Sequence, residues 1–555
     1  MKSRLRGLLL QALADARRSG ELSGSDVPPF VVEVPREEGH GDLATNLAMT
    51  LARIERKAPH AIATVLQQHL GDAGGRLERV EVAGGGFLNV TFAAGAWRER
   101  LIEILEAGDG YGTSTVGDGK RIQVEFCSAN PTGPLHIGHG RGAATGDAIA
   151  RVLEAAGYKV DREYYINDAG GQIETLGASV LARYLVLCGV DAPFPENGYP
   201  SEYVVDLARE AVEKDGRRWV DADRAEAVES LGRWAADKLL DVIRADLAAF
   251  GVRFDRFTSE RDLQRSGRVA AALEELEQRG HLYVSDGARF MRSSAFGDDK
   301  DRPVVKSDGG LTYFASDICY HREKLLAGYD RIIDVWGADH HGYVSRMRGA
   351  LAALGMEPEK LRVVLVQMVS LSRDGVPVRM GKRTGEFVTL RDVLDEVGCD
   401  LARFFFLSRK SDAHLDFDLE LARRQTAENP VFYIQYAYTR IAGIFRQAAE
   451  RAVAVPAGAS AAAVAPLQNV DELALIRLLA EFPEIVEGAA ESLEPHRVVF
   501  YAQKVAGEFH RFYARHRCVS DNAETTASRL LLVRAVAQVI GRALALVGVG
   551  APERM

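Results

Sequence analysis

Two histidines three residues apart, His136 and His139, sit in the run RIQVEFCSANPTGPLHIGHGRGAATGDAI (Arg121 to Ile149) and give this chain its most chemically pointed segment. Ile122, Val124 and Phe126 alternate as in a strand, Asn130 to Pro134 breaks that pattern, and an alanine-rich helical stretch follows. Gly138, Gly140 and Gly142 fall where backbone can approach a ligand before the helix starts. A phosphate at such a turn meets unpaired amides at a helix N-terminus. Both imidazoles can point to one side and donate to one phosphoryl oxygen, so the segment predicts a nucleotide-phosphate site.

HIGH, residues 136–139, resembles the signature of class I aminoacyl-tRNA synthetases. Far downstream, VRMGKRTG (Val378 to Gly385) resembles the second signature of that class, the KMSKS loop. Arg379 takes its first lysine position, Gly381 its serine position and Lys382 its second lysine position. Attack on an α-phosphate moves negative charge onto that group and the departing pyrophosphate. A cation on a glycine-flanked loop would stabilise that charge in the transition state, and Lys382 is the residue expected to do so. Thr132-Gly133 stands where relatives lacking the second lysine carry one, so the charge is supplied once. Gly381 brings no hydroxyl.

The flanking text narrows the resemblance. SANPTGPLHIGHGRGA, YYINDAGGQI, GADHHGY, GEFVTL, LDFDLELA, NPVFYIQYAYTRI and the terminal APERM together resemble bacterial arginyl-tRNA synthetase over nearly the whole chain. That resemblance implies an N-terminal domain touching the tRNA elbow, a Rossmann-type catalytic domain and a helical anticodon-binding domain. It implies ATP as substrate with Mg²⁺, and L-arginine and its tRNA as partners. It places Pro134, Gly138, Gly140, Asp339, His340 and Met380 at ATP, and Glu125, Asn130, Tyr313 and Asp317 at arginine. Phe87 and Asn89 map to positions that read a D-loop base, with Tyr436 and Arg440 at the tRNA from the C-terminal domain. By analogy with the family, activation needs bound tRNA.

The arginine assignment agrees with residue chemistry. A guanidinium keeps its charge and offers five planar donors, so its pocket needs carboxylates and neutral acceptors. Glu125 and Asp317 supply the carboxylates, Tyr313 a phenol, and Asn130 an amide for the α-amino group. A synthetase for glutamate would need basic residues there instead. A catalytically dead RNA-binding relative would not need His136, His139 and Lys382.

These residues must be held by more than one domain. At 555 residues the chain exceeds a single typical core. Residues 1–105 read as α+β, with a first amphipathic helix in place of a signal peptide and strands around Phe30 to Val34 and Val80 to Phe92. From 106 to 410, strand runs (RIQVEF, YKVDREYYIND, YDRIIDVWGAD, RVVLVQMVSL) alternate with helices as a parallel α/β sheet requires. The charged stretch Ser201 to Phe250 reads as a helical insertion. Residues 411–555 are helical, apart from the alanine-rich loop Ala452 to Pro466, and their aromatics include core positions that sequence does not sort.

Hydrophobic residues make up 47% and charged residues 26%, an ordinary soluble composition, and the net charge of −9 disfavours a protein that coats nucleic acid throughout. Five scattered cysteines without a CxxC pair support neither a disulfide framework nor a zinc site, and no metal ligands are predicted. A monomeric, cytoplasmic enzyme without membrane attachment is the expectation.

Overall fold

In the computed structural model, residues 1–35, 37, 39–378, 388–426 and 428–555 are described. The chain opens with a helix, Lys2–Arg18, burying Leu5, Leu9, Ala12, Leu13 and Ala16 on one stripe. An antiparallel sheet follows, in the order Val32–Glu33, Leu43–Thr45, Phe87–Phe92, Leu77–Ala83. The expected strand at Phe30 to Val34 shrinks to two residues. The run HGDLATNLAM (His40 to Met49) contains the short buried strand Leu43–Thr45 and leads into the helix Leu47–Glu55.

The catalytic-type layer is a five-stranded parallel sheet. Its strands are β1 (Arg121–Glu125), β2 (Lys159–Ile166), β3 (Arg256–Ser259), β4 (Arg331–Gly337) and β5 (Leu361–Val366), in the order β5-β4-β1-β2-β3. All four pairings are parallel. The chain runs outward from β1 through β2 to β3, then returns to place β4 on β1's other side. β1 and β4 therefore flank the switch point, where a crevice opens at the strands' carboxyl ends. Helix α1 (Ile137–Ala155) follows β1. The expected insertion, Ser201 to Phe250, forms α3 (Glu202–Asp215) and α4 (Arg224–Ala249), which pack with α2 (Gly171–Leu187) into a three-helix layer with its own core around Leu176, Tyr184, Leu207 and Leu231. The short α5 (Glu260–Arg265), then α6 (Tyr313–Leu326) and α7 (Tyr343–Ala353), complete the crevice.

β3 went unread in the sequence. Its four residues, RFTS, alternate weakly, and pairing with Glu163 to Ile166 of β2 makes them a strand. The C-terminal part is a helical bundle including α8 (Pro430–Glu450), α9 (His496–Arg515) and α10 (Ala523–Leu546); the alanine-rich loop contains one turn of helix, Ala461–Val464. Among the described residues no helix is long and apolar enough to cross a membrane.

Candidate active site

Backbone strain marks the end of β1. Cys127 and Ser128, neither of them glycine, hold φ of 68° and 39°, a conformation that costs about 1–3 kcal/mol per residue and survives only where surroundings fix it. Those surroundings are visible. Tyr164 Oη donates to the Ala129 carbonyl at 2.7 Å and Tyr203 Oη to the Thr132 carbonyl at 2.7 Å. Asn130 Nδ2 donates to Gln172 Oε1 at 2.6 Å. Ser128 Oγ donates to Glu125 Oε1 at 3.0 Å while accepting from the Tyr165 amide at 3.1 Å.

His136 is the N-cap of α1. Its Nδ1 accepts from the Gly138 amide at 3.1 Å, and His139 Nδ1 accepts from the His136 amide at 3.3 Å, a capping box made of two histidines. An accepting Nδ1 leaves the proton of a neutral imidazole on Nε2, so the helix terminus itself selects the tautomer. The rings stack, centroids 3.6 Å apart and planes 21° apart, and face one side together.

This cap corrects the expectation for the glycines. The helix begins at Ile137, so Gly138, Gly140 and Gly142 lie inside it. The Gly140 amide bonds the His136 carbonyl at 3.2 Å, and a Cβ there would come within 2.7 Å of Leu390 Cδ1 and 3.1 Å of Phe406. Gly140, expected at ATP, thus serves helix packing. Gly138 faces the His136 ring. Pro134 lies in the turn before the cap, half-buried.

Met380 and Lys382 lie outside the described residues, as do Arg379 and Gly381. Just beyond them, the Leu390 amide donates to the Leu135 carbonyl at 2.7 Å and Thr389 bridges His136, so this flank of the lysine-bearing segment joins the histidine turn directly.

Glu125, Asn130 and Asp317 converge on the crevice. Glu125 closes β1, 8% exposed, with Lys324 Nζ 2.5 Å from Oε2. Burial, opposed by Lys324, holds its carboxyl above the usual range. Asp317 lies one turn into α6 and accepts from Tyr343 Oη, and burial raises its carboxyl too. Tyr313, at the first position of α6, is 53% exposed, its hydroxyl beside Gly170. Asp339 and His340 follow the end of β4 on an exposed turn, with side chains 80% and 58% accessible.

Sequence reasoning missed Glu260. It begins α5 at the end of β3, is 2% exposed, and is pushed up to about 7 by burial. Gln264 Nε2 donates to its Oε1 at 3.1 Å, while Glu260 Oε2, Tyr165 Oη and Asn167 Oδ1 are buried without a partner among the described residues. An orphaned buried acceptor is expensive; a buried acid with such an oxygen, near Tyr165 and Asp317, suits a cationic ligand with several donors. In sequence, FTSERDL reads as a surface helix start, and no local signal sets Glu260 apart.

Away from the crevice, Phe87 is half-buried but Asn89 is 7% exposed and sits mid-sheet, opposite Glu81 and Ala44. Asn89, expected at a base, therefore presents little exposed surface here. On α8 the structure sorts the aromatics. Tyr433 and Tyr438 pack on the core, while Tyr436 is 39% exposed. Arg440 donates to Tyr436 Oη at 2.6 Å and lies over the Tyr436 and Tyr513 rings at 4.4 and 4.8 Å. That patch of π-faces and one guanidinium suits unpaired bases.

The comparisons with known proteins agree with this geometry. Residues 3–92 match the arginyl tRNA synthetase N terminal domain, 100–403 the catalytic domain of class I (R) tRNA synthetases, and 434–555 the DALR anticodon binding domain. An arginine–tRNA ligase of Geobacter sp. (strain M21) is 51% identical over the full length of both chains, and one of Syntrophotalea carbinolica 50%. A putative arginyl-tRNA synthetase of Campylobacter jejuni superposes with a TM-score of 0.75 at 36% identity, covering 83% of this chain and 99% of its own. The Thermus thermophilus arginyl-tRNA synthetase, 24% identical and covered fully, shares the fold with a TM-score of 0.76. On these grounds the chain belongs to the class I arginyl-tRNA synthetases.

Proposed function

We propose that this chain joins L-arginine to its tRNA with ATP, in two steps at the β1/β4 crevice. The arginine carboxylate attacks the α-phosphate, forming arginyl-adenylate and releasing pyrophosphate. The terminal ribose 2′-OH of tRNA then attacks the acyl carbon and AMP leaves. No covalent enzyme intermediate is required, since positioning and charge stabilisation carry such transfers.

His136 and His139, with Nε2–H donors selected by the helix cap, stabilise charge on the phosphates, and Lys382 adds a cation. Pro134, Gly138, Asp339, His340 and Met380 frame ATP. Mg²⁺ would come with the ATP phosphates: no cluster of three or more metal-ligating side chains stands among the described residues, and no step here runs through the ion.

The amino acid is divided between two groups of acids. Glu125 borders the histidine turn where the reacting carboxylate must lie, so with Asn130 it takes the nearby α-ammonium. Asp317, Glu260, Tyr165 and Asn167 take the guanidinium, and Tyr313 covers the ligand. The observation that carries this reading is the meeting of stacked, capped histidines with the acids Glu125, Asp317 and Glu260, each raised by burial, at the carboxyl ends of the strands.

For tRNA, Arg224, Arg233, Arg261 and Arg265 line a cleft running from Asp168 and Gly170, a path for the acceptor strand's phosphates. Residues 1–105 would meet the elbow through Phe87, and residues 411–555 the anticodon through Tyr436 and Arg440. Arginine-dependent exchange of labelled pyrophosphate into ATP tests the first step. It should require bound tRNA and fall at least 100-fold in His136→Ala and His139→Ala, with arginine binding little changed. Exchange that persists in both variants would remove the histidines from the mechanism.

A further inference from the structure

Three acids lie side by side across the middle of the sheet. Asp334 of β4 pairs in register with Glu125 of β1, and Glu125 with Glu163 of β2. Their exposures are 0%, 8% and 2%. All three point to the face covered by α6, because their partners come from it. Tyr320 Oη donates to Glu163 at 3.0 Å, His321 Nε2 lies 2.7 Å from Asp334 Oδ2, and Lys324 Nζ lies 2.5 Å from Glu125 and 3.0 Å from Asp334. Glu163 also accepts from Gln123 and from Thr258 at 2.5 Å. His321 Nδ1 bonds the Asp317 carbonyl at 2.8 Å, which can only accept, so that nitrogen carries a proton. Against burial, the Asp334 carboxylate on its other nitrogen holds the imidazole above its usual range, which favours the imidazolium.

Strands in a sheet are about 4.8 Å apart, and neighbouring carboxylates at such spacing do not all ionise unless cations separate them. Of these three carboxylates, His321 hydrogen-bonds Asp334. Lys324, its side chain 2% exposed and its ammonium 4.2 Å from the Tyr320 ring centroid, is shared between Asp334 and the acid that faces the crevice.

We propose that Lys324 is a positioning residue for amino-acid recognition: by bridging Glu125 and Asp334 it holds Glu125 as an anion, aimed at the substrate's ammonium. This rests on the reading of Glu125 given above. Lys324, its side chain 2% exposed, acts through one oxygen of Glu125, while Ser128 fixes the other. The titratable groups around Glu125 are Lys324, His321, Tyr320 and Asp317 of α6, Asp334 of β4, and Glu163 and Tyr165 of β2. With His321 already committed to Asp334, loss of Lys324 leaves Glu125 as the group that takes up a proton.

The test is arginine kinetics in Lys324→Met, Lys324→Arg, Glu125→Gln and the double variant Glu125→Gln/Lys324→Met. Lys324→Met should raise the arginine KM about tenfold or more at pH 7 while the ATP KM stays within about twofold. The ratio of mutant to wild-type KM should fall as pH rises to 9 and Glu125 deprotonates, and Lys324→Arg should restore most of the loss. The double variant should be no worse than Glu125→Gln, a comparison that stands even if Lys324→Met alone does not fold. An unchanged arginine KM in Lys324→Met, an equal rise for ATP, or a double variant clearly worse than Glu125→Gln would overturn the proposal. If Glu125→Gln itself left the arginine KM unchanged, the reading of Glu125 would fall, and this inference with it.

Discussion

Glu260 is a buried carboxyl with Oε2 unpaired among the described residues, and burial pushes it up to about 7 against the lowering effect of the Ser316 hydroxyl. Below that pH it is neutral and offers a guanidinium little; above it, the anion is available. Arginine binding should therefore tighten as pH rises from 6 to 8 and be accompanied by proton release near neutrality, which calorimetry in buffers of different ionisation enthalpy measures. A flat affinity across that range would separate Glu260 from the substrate. Asp317, whose carboxyl burial also raises, faces the same cation. Citrulline has nearly arginine's shape without its charge, so it should be rejected strongly without editing. Asp317→Asn should lower kcat/KM for arginine about 10- to 100-fold, at 1–3 kcal/mol for a lost charged partner, and narrow the preference over citrulline. Equal discrimination by Asp317→Asn and wild type would take this acid out of the pocket. Glu125 could be singled out from sequence as an acid ending a buried strand, whereas Asn130, Tyr313 and Asp317 were proposed for arginine from the family resemblance. Glu260 and Lys324 were legible from neither: each lies in a run of charged residues, ERDLQR and HREKLL, where sequence cannot tell a buried ion from a solvated one.

At the scale of elements, α1 decides whether the histidines are presented correctly, and its glycines divide by surroundings. A Cβ on Gly146 would fall 2.1 Å from Phe126 Cγ, the ring that closes β1's end, whereas one on Gly142 meets nothing within 4 Å. Overpacking of this kind costs about 1–3 kcal/mol, while alanine for glycine in an open helical position gains about 1 kcal/mol. Gly146→Ala should lower Tm and slow pyrophosphate exchange, and Gly142→Ala should raise Tm; the same direction for both in calorimetry would contradict this packing of α1 on β1. The strands β4 and β5 could be read from their apolar runs, β1 from the alternation of Ile122, Val124 and Phe126, and β2 from its aromatic, β-branched end YYI. The start of α1 could not, because an imidazole in the cap role is unusual and glycines ordinarily signal a turn. Its three early glycines therefore looked like a loop ahead of the helix.

Across the whole molecule, one fully buried residue ties three parts together. Arg403, on the helix Cys399–Leu407, donates to Asp147 of α1 at 2.5 Å, to the Phe250 carbonyl at the end of the insertion at 3.1 Å, and to the Val547 carbonyl after the last helix at 3.0 Å. The anticodon-side bundle is thus built onto the helix that carries the histidines. The patch of Tyr436, Arg440 and Tyr513 lies on that bundle, away from the crevice, so its loss should affect one substrate. Tyr436→Ala and Arg440→Ala should each raise the tRNA KM about tenfold, as stacking worth about 1–3 kcal/mol per base implies, with arginine and ATP constants unchanged. A matching loss for all three substrates would mean that the patch supports the fold. The most direct test of the account is charging of a bacterial tRNA pool by the purified enzyme with ATP, scanned across the amino acids. Arginine should be attached, with one AMP formed per arginyl-tRNA, and lysine, glutamate and citrulline should not. Comparable charging with any of those three, or no charging with arginine, would contradict it.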